Sequence, residues 1–113
     1  MSKLENIPTY AQFKKKFGST RPSLILPIKG FWLGKIWVGE KLEEYRDLNS
    51  FYEKRLEKFL DWSHFTVGFL AGYSEEAPFA ACKCDLQKGP GFEKWGAQKG
   101  KNYYVLRILK VYK

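Results

Sequence analysis

An amphipathic helix predicted over residues 50–62 is the feature that most constrains the fold. Its apolar residues recur at helical spacing, at Tyr52, Leu56, Phe59 and Leu60. The segment begins with Ser50 and carries Glu53 three residues later, which is the pattern of a capping box. A helix with one apolar face must bury that face, so the rest of the chain must supply a partner layer.

Segments with strand character supply that layer. Residues 65–73 alternate in polarity, residues 79–86 follow after a hairpin-length connection, and residues 103–112 form a long final strand. Earlier in the chain, residues 23–28 are predicted as a strand that Pro27 confines to a sheet edge, and the apolar residues 31–39 as a further strand. Residues 40–47 could continue that strand or form a loop. Gly68 and Gly72 leave one face of the 65–73 strand thin, so we expect a close neighbour there.

A short helix is predicted over residues 9–17, with Thr9 as its N-cap and Gly18 after its last turn. The chain has 113 residues and no linker, so residues 1–113 are interpreted as a single domain. The predicted class is α+β: a curved antiparallel sheet of about five strands, which could close into a small barrel, with one main helix at 50–62 and the short N-terminal helix.

The net charge of +8 is unevenly distributed along the chain. Residues 1–39 have a net charge of +6, residues 40–76 of −4 and residues 77–113 of +6. Two basic ends around an acidic middle would form one positive face if the ends meet in the fold. Such a face attracts a polyanion.

No apolar run approaches the length of a membrane span, and the N-terminus lacks the apolar core of a signal peptide. Two cysteines, Cys82 and Cys84, are too few and too close for a disulfide framework, and they are interpreted as buried thiols. We therefore expect a soluble, cytoplasmic protein without contact to a membrane.

Residues 87–102, QKGPGFEKWGAQKGKN, show neither helical nor strand periodicity. A structureless loop of this length in a small domain is usually functional or disordered. Gly91 and Gly96 have the glycine spacing of a P-loop, but Ala97-Gln98 stands where Lys and Ser/Thr are required, so nucleotide binding of that type is excluded.

Catalytic and metal-binding patterns are weak. His64 is the only histidine, and its neighbours in sequence do not define a catalytic triad. The acidic group at residues 40–47 is interpreted as a solvated surface, not as a metal site. The sequence predicts no cofactor, no metal and no catalytic residue.

Lysines interleaved with aromatic residues favour a single-stranded nucleic acid as the partner, or a nucleoprotein, because bases stack on aromatic rings while basic groups contact phosphates. The predicted nucleic-acid-binding residues are Lys35, Trp37, Lys88, Phe92, Lys94, Trp95, Lys99, Lys101 and Arg107.

Two alternatives remain open. An exposed Trp flanked by charge is also typical of a protein-binding hot spot, which would suit a regulator or inhibitor of a host enzyme, of viral or plasmid type. A small basic ribonuclease-like toxin is the third hypothesis. The oligomeric state does not follow from the sequence.

Overall fold

Three α-helices and five strands occupy the described part of the chain, which in this computed structural model comprises residues 6–18 and 22–113. In chain order they are α1 (Tyr10–Phe17), β1 (Leu24–Pro27), α2 (Gly30–Trp37), β2 (Glu43–Asp47), α3 (Ser50–Leu56), β3 (Phe65–Leu70), β4 (Phe79–Pro90) and β5 (Asn102–Tyr112). Short 3-10 helices span Glu57–Asp61 and Glu93–Trp95. The charges that the sequence analysis assigned to residues 1–5 and to Arg21 lie outside the described residues.

The strands form one curled sheet in the order β1-β3-β4-β5-β2, so the predicted α+β class with a curved five-stranded sheet is confirmed. The sheet is mixed, not wholly antiparallel, because β1 pairs with β3 in parallel. The remaining neighbours are antiparallel. A β-bulge between Lys83 and Cys84 shifts the register of β4 against β5. Such a bulge bends the strand pair and helps the sheet to curl.

One face of the sheet, called here the core face, packs against α2, α3 and the following 3-10 helix. Leu33 and Ile36 of α2 and Leu56 of α3 are fully buried there. They meet strand residues such as Val67 and Cys82 in the main hydrophobic cluster. Burial of these side chains, at about 1.5–3 kcal/mol each, is the main contribution that holds the helices on the sheet.

The opposite face, called the outer face, is covered at one end by α1. Phe13 packs its ring 4.8 Å from that of Phe79, next to Ala81. The backbone N–H of Tyr10 donates to the carbonyl of Ala77 at 3.0 Å, which ties α1 to the β3–β4 connection. The close neighbour expected at Gly68 is Phe79, whose ring occupies the space of the missing side chain.

The predicted strand over residues 31–39 is wrong, because this segment forms α2. An apolar run of eight residues fits either period, and here the helical face of Leu33 and Ile36 is the one that covers the sheet. Gly39 has a φ of 82°, and its N–H donates to the carbonyl of Ile36. A glycine in this conformation is a common helix end, and it is the signal in the sequence that favoured a helix.

The main helix predicted over residues 50–62 is confirmed as α3 followed directly by a 3-10 helix. Its cap differs from the prediction. The N-cap is Asn49, whose side chain accepts a hydrogen bond from the N–H of Tyr52 at 2.9 Å, so Ser50 is already the first helical residue. The short N-terminal helix is confirmed with its capping box, in which Thr9 pairs with Gln12.

No helix in the described part of the chain is long and apolar enough to cross a membrane. Cys82 and Cys84 are both free and buried on the core face, as the sequence predicted.

Candidate nucleic-acid interface

The segment predicted as a 16-residue structureless loop is shorter and ordered. β4 continues to Pro90 and β5 begins at Asn102, so residues 91–101 form the connection, which we call the β4–β5 loop. The N–H of Phe92 donates to the Tyr45 hydroxyl at 2.8 Å, and the N–H of Gln98 donates to the Tyr103 hydroxyl at 2.9 Å. These bonds fix the loop at both ends against the outer face.

Trp95 serves as an anchor for this loop. Its indole N–H donates to the carbonyl of Glu40 at 2.9 Å, and its own carbonyl accepts a hydrogen bond from Lys41 Nζ at 2.5 Å. The side chain is half-buried, whereas Phe92 is 56% exposed. The ring of Trp95 is therefore committed to holding the loop, which leaves Phe92 as the more accessible aromatic side chain.

Lys41 belongs to a group of buried charges with Glu44 and Arg46. Only 1% of Lys41 is exposed, and its amine lies 4.5 Å from the ring centroid of Trp32 and 3.3 Å from the Glu44 carboxylate. Burial lowers the pKa of Lys41, partly offset by the charge of Glu44. Glu44 also accepts a hydrogen bond from the buried guanidinium of Arg46 at 2.8 Å, so the interpretation of the acidic group at residues 40–47 as a solvated surface is wrong at Glu44.

Four of the predicted nucleic-acid-binding cations have carboxylate partners. The pairs are Lys35 with Glu40 at 3.3 Å, Lys88 with Glu57 at 3.1 Å, Lys101 with Asp47 at 2.9 Å, and Arg107 with Asp85 at 2.5 Å. Hydrogen bonds from Tyr104 and then Lys88 lower the pKa of Glu57, which keeps that carboxylate ionised. Among the described residues, Lys94 and Lys99 have no carboxylate within 4 Å. The predicted residues therefore do not form one continuous positive surface.

Trp37 is the predicted residue that lies in a large cleft. The cleft has a volume of about 560 Å³. Its lining residues are Asn6, Ile7, Pro8, Gln12, Phe13, Lys16, Phe17, Trp37, Tyr112 and Lys113. We call it the aromatic–basic cleft. It lies where the end of β5 meets α1 on one side and the C-terminal end of α2 on the other.

Three aromatic side chains that line the cleft, Phe17, Trp37 and Tyr112, each have a lysine amine over the ring. The amine of Lys16 lies 5.6 Å from the ring centroid of Phe17, and that of Lys113 lies 4.7 Å from Trp37. The amine of Lys110 lies 5.3 Å from the ring of Tyr112. None of these three lysines has a carboxylate within 4 Å among the described residues, in contrast to Lys88, Lys101 and Arg107 near the loop. On the loop itself, Lys94 is similar to the cleft lysines, because its amine lies 4.9 Å from the ring centroid of Trp95.

The cleft joins the two basic thirds of the chain. Lys16 comes from α1 in the first third, and Lys113 follows β5 in the last. No local sequence pattern could reveal this, because the meeting depends on α1 packing against β4 and β5. The available signal was the charge distribution, which favoured a shared positive face only if the two basic ends meet in the fold.

His64 lies elsewhere, exposed after the 3-10 helix, with its Nδ1 3.2 Å from the Ser63 hydroxyl. In the described ranges, no group of three His, Cys, Asp or Glu side chains could hold a metal ion. The arrangement that stands out chemically is the cleft, which can stack planar rings and neutralise anionic groups beside them.

Comparison of the chain with protein-family models, with curated proteins and with solved structures finds no match.

Proposed function

We propose that the protein is a small, non-enzymatic binding protein that holds single-stranded nucleic acid in the aromatic–basic cleft. The observation that carries this proposal is the pairing of Phe17, Trp37 and Tyr112 each with a lysine that has no carboxylate partner among the described residues. Stacking of a base on an aromatic side chain is typically worth about 1–3 kcal/mol, and phosphate contacts add a salt-dependent contribution.

Single strands fit this site better than duplexes. In a duplex the base faces are stacked on one another, so the rings of the cleft would have nothing to stack against. A volume of about 560 Å³ is within the range of sites that enclose small ligands, so the cleft has room for unstacked bases. Function in the cytoplasm, alone or on a nucleoprotein, is part of the same proposal.

The test is a binding titration with fluorescently labelled single-stranded DNA, duplex DNA and RNA over a series of salt concentrations. We expect the single strands to bind most tightly, with the logarithm of the affinity falling linearly with the logarithm of the salt concentration. Absence of binding at low salt, or affinity that does not change with salt, would refute the proposal.

Two matched charge reversals locate the site. Lys16→Glu with Lys113→Glu changes the cleft, and Lys94→Glu with Lys99→Glu makes the same change of charge on the β4–β5 loop. We expect the cleft variant to lose about 10-fold or more in affinity at low salt and the loop variant to lose much less. The reverse order would place binding on the loop, as the sequence alone predicted.

A protein-binding role remains the second candidate. Its support is a set of exposed apolar side chains on the helical side, including Phe31 at 65%, Phe51 at 52% and Trp62 at 48%. Side chains of this kind are enriched where interfaces concentrate their binding energy. A stoichiometric protein partner that survives nuclease treatment and is lost with Phe31→Ser would favour this role over nucleic-acid binding.

A further inference from the structure

Lys83 and Lys110 are direct partners across β4 and β5, in an arrangement that strands usually avoid. Both side chains project from the outer face, because Cys82 and Cys84 on either side of Lys83 point into the core. Like charges directly opposite each other destabilise an antiparallel pair. Neither amine has a carboxylate within 4 Å among the described residues, so nothing there offsets the repulsion.

This lysine pair borders the aromatic–basic cleft. Tyr112 lies two residues after Lys110 on the same face, opposite Ala81, and the amine of Lys110 lies over its ring. Tyr112 in turn lines the cleft together with Lys16 and Lys113. Tyr112 thus connects Lys83 and Lys110 on the outer face with Lys16 and Lys113 in the cleft, and we call these four lysines the lysine track.

The track has a definite end on the sheet. Beyond the β-bulge, which leaves Leu109 unpaired, the next cross-strand partners on the outer face are Asp85 and Arg107. They form an ion pair with two hydrogen bonds, at 2.8 and 2.5 Å. Opposite charges are therefore paired at Asp85 and Arg107, whereas like charges face each other at Lys83 and Lys110. The uncompensated charge is confined to the side that adjoins the cleft.

We propose that Lys83 and Lys110 form a binding site for a backbone phosphate of the single strand whose bases enter the cleft. This inference rests on the proposed function and adds the path of the strand. A phosphodiester between the two amines replaces their mutual repulsion with two attractive contacts. The bases of the adjoining nucleotides then reach Tyr112 first, because that ring lies next to the pair.

The test compares two double variants. One carries Lys83→Gln and Lys110→Gln, and the control carries Lys54→Gln and Lys58→Gln. The control removes the same charge from α3 and the 3-10 helix after it, where both lysines are exposed. The affinity for a single-stranded oligonucleotide is measured at several salt concentrations. Each phosphate contact to a single strand contributes about 0.7 to the slope of log affinity against log salt concentration. At 50 mM salt, such a contact therefore strengthens binding by about 8-fold relative to its contribution at 1 M salt.

We expect the Lys83/Lys110 variant to lower the slope by about 0.7–1.4 and to weaken binding by about 8-fold or more at 50 mM salt, with the control close to the wild-type protein. We also expect the variant to unfold at the same or a higher urea concentration than the wild-type protein at low salt, because the like-charge pair is gone.

The outcomes separate this inference from the proposed function. If the wild-type protein shows no salt-dependent binding, the proposed function fails and this site fails with it. If the wild-type protein binds and the Lys83/Lys110 variant keeps its slope and affinity, the phosphate site is refuted while the cleft stands. An equal loss in the control refutes the site as well, because net charge alone would then set the affinity. Loss of binding to phosphatidylserine vesicles with unchanged oligonucleotide binding would reassign the pair to a membrane surface.

Discussion

Replacement of Lys41 by Met should destabilise the fold by about 2–3 kcal/mol. Methionine retains most of the aliphatic stem of lysine, so the change removes the ammonium group with little loss of packing. The ammonium donates to the carbonyl of Trp95 at 2.5 Å, lies 3.3 Å from Glu44 and lies 4.5 Å from the ring of Trp32.

The magnitude follows from what each partner loses. A buried carbonyl left without its donor costs about 1–3 kcal/mol. Loss of one member of a buried ion pair costs about 3–5 kcal/mol when the other is left unpaired, but Glu44 retains two contacts from Arg46, at 2.8 and 3.2 Å, so its share is smaller. Burial of the ammonium is itself unfavourable, as the lowered pKa of Lys41 indicates, and its removal offsets part of the loss.

The assay is denaturation of the wild-type protein and the variant by urea and by heat. A one-dimensional nitrogen-edited NMR spectrum follows the signal of the Trp95 indole N–H. For a domain of this size, 2–3 kcal/mol lowers Tm by about 10 °C. Lys94→Met is the matched control, because this lysine lies on the β4–β5 loop that Lys41 contacts but is exposed, and its replacement should change stability by less than about 0.5 kcal/mol. If Lys41→Met is as stable as the wild-type protein, the buried amine does not hold the loop and the reasoning is wrong.

Two further predictions concern the sheet. Gly68→Ala should destabilise the protein by about 1–3 kcal/mol in urea denaturation, because the added Cβ would lie 2.5 Å from the Phe79 ring. Gly89→Ala is the control, because a Cβ added there would have no atom within 4 Å and would not clash. Equal effects of the two substitutions would refute the packing argument. Burial raises the pKa of Cys82 to about 12 and raises that of Cys84 further. The stability that these thiols contribute is therefore fully present below the pKa of about 9 that a thiol has in the unfolded chain, and it declines as the pH rises towards the pKa values of the folded protein. The stability difference between the wild-type protein and a Cys82→Ala, Cys84→Ala variant should accordingly fall by about 1 kcal/mol per thiol between pH 9 and 10, and a constant difference would contradict it.

The elements that the sequence predicted correctly are those whose signals are local. α1 has its cap, its apolar face and its terminal glycine within ten residues, and the main helix has an apolar row that fits only a helical period. Residues 65–69 of β3 and residues 82–86 of β4 alternate between apolar and polar or small side chains in the sequence. In these cases the pattern and the tertiary structure require the same conformation, so local reasoning was sufficient.

The elements that were missed depend on distant partners. The segment of α2 is apolar on every side, so neither period dominates, and the sheet decides which face is buried. The charges of β2 look solvated in the sequence, yet Glu44 and Arg46 point inward and pair with each other beneath the Pro27 carbonyl and Tyr52. Burial of a charge depends on the geometry of its partners, which a linear pattern does not contain.

The pairing of charges also distinguishes the two candidate surfaces. Near the β4–β5 loop, Lys88, Lys101 and Arg107 are within hydrogen-bonding distance of carboxylates. Exposed ion pairs are weak, so a phosphate could displace a carboxylate at small cost, but the displaced carboxylate would remain close and repel the strand. Of the cations at the loop, Lys94 and Lys99 also lack a carboxylate within 4 Å among the described residues, so a strand there gains some attraction, but less than beside Lys16, Lys110 and Lys113, all of which lack one. The same +8 charge therefore favours the cleft, and a stronger dependence of binding on salt is expected there than at the loop.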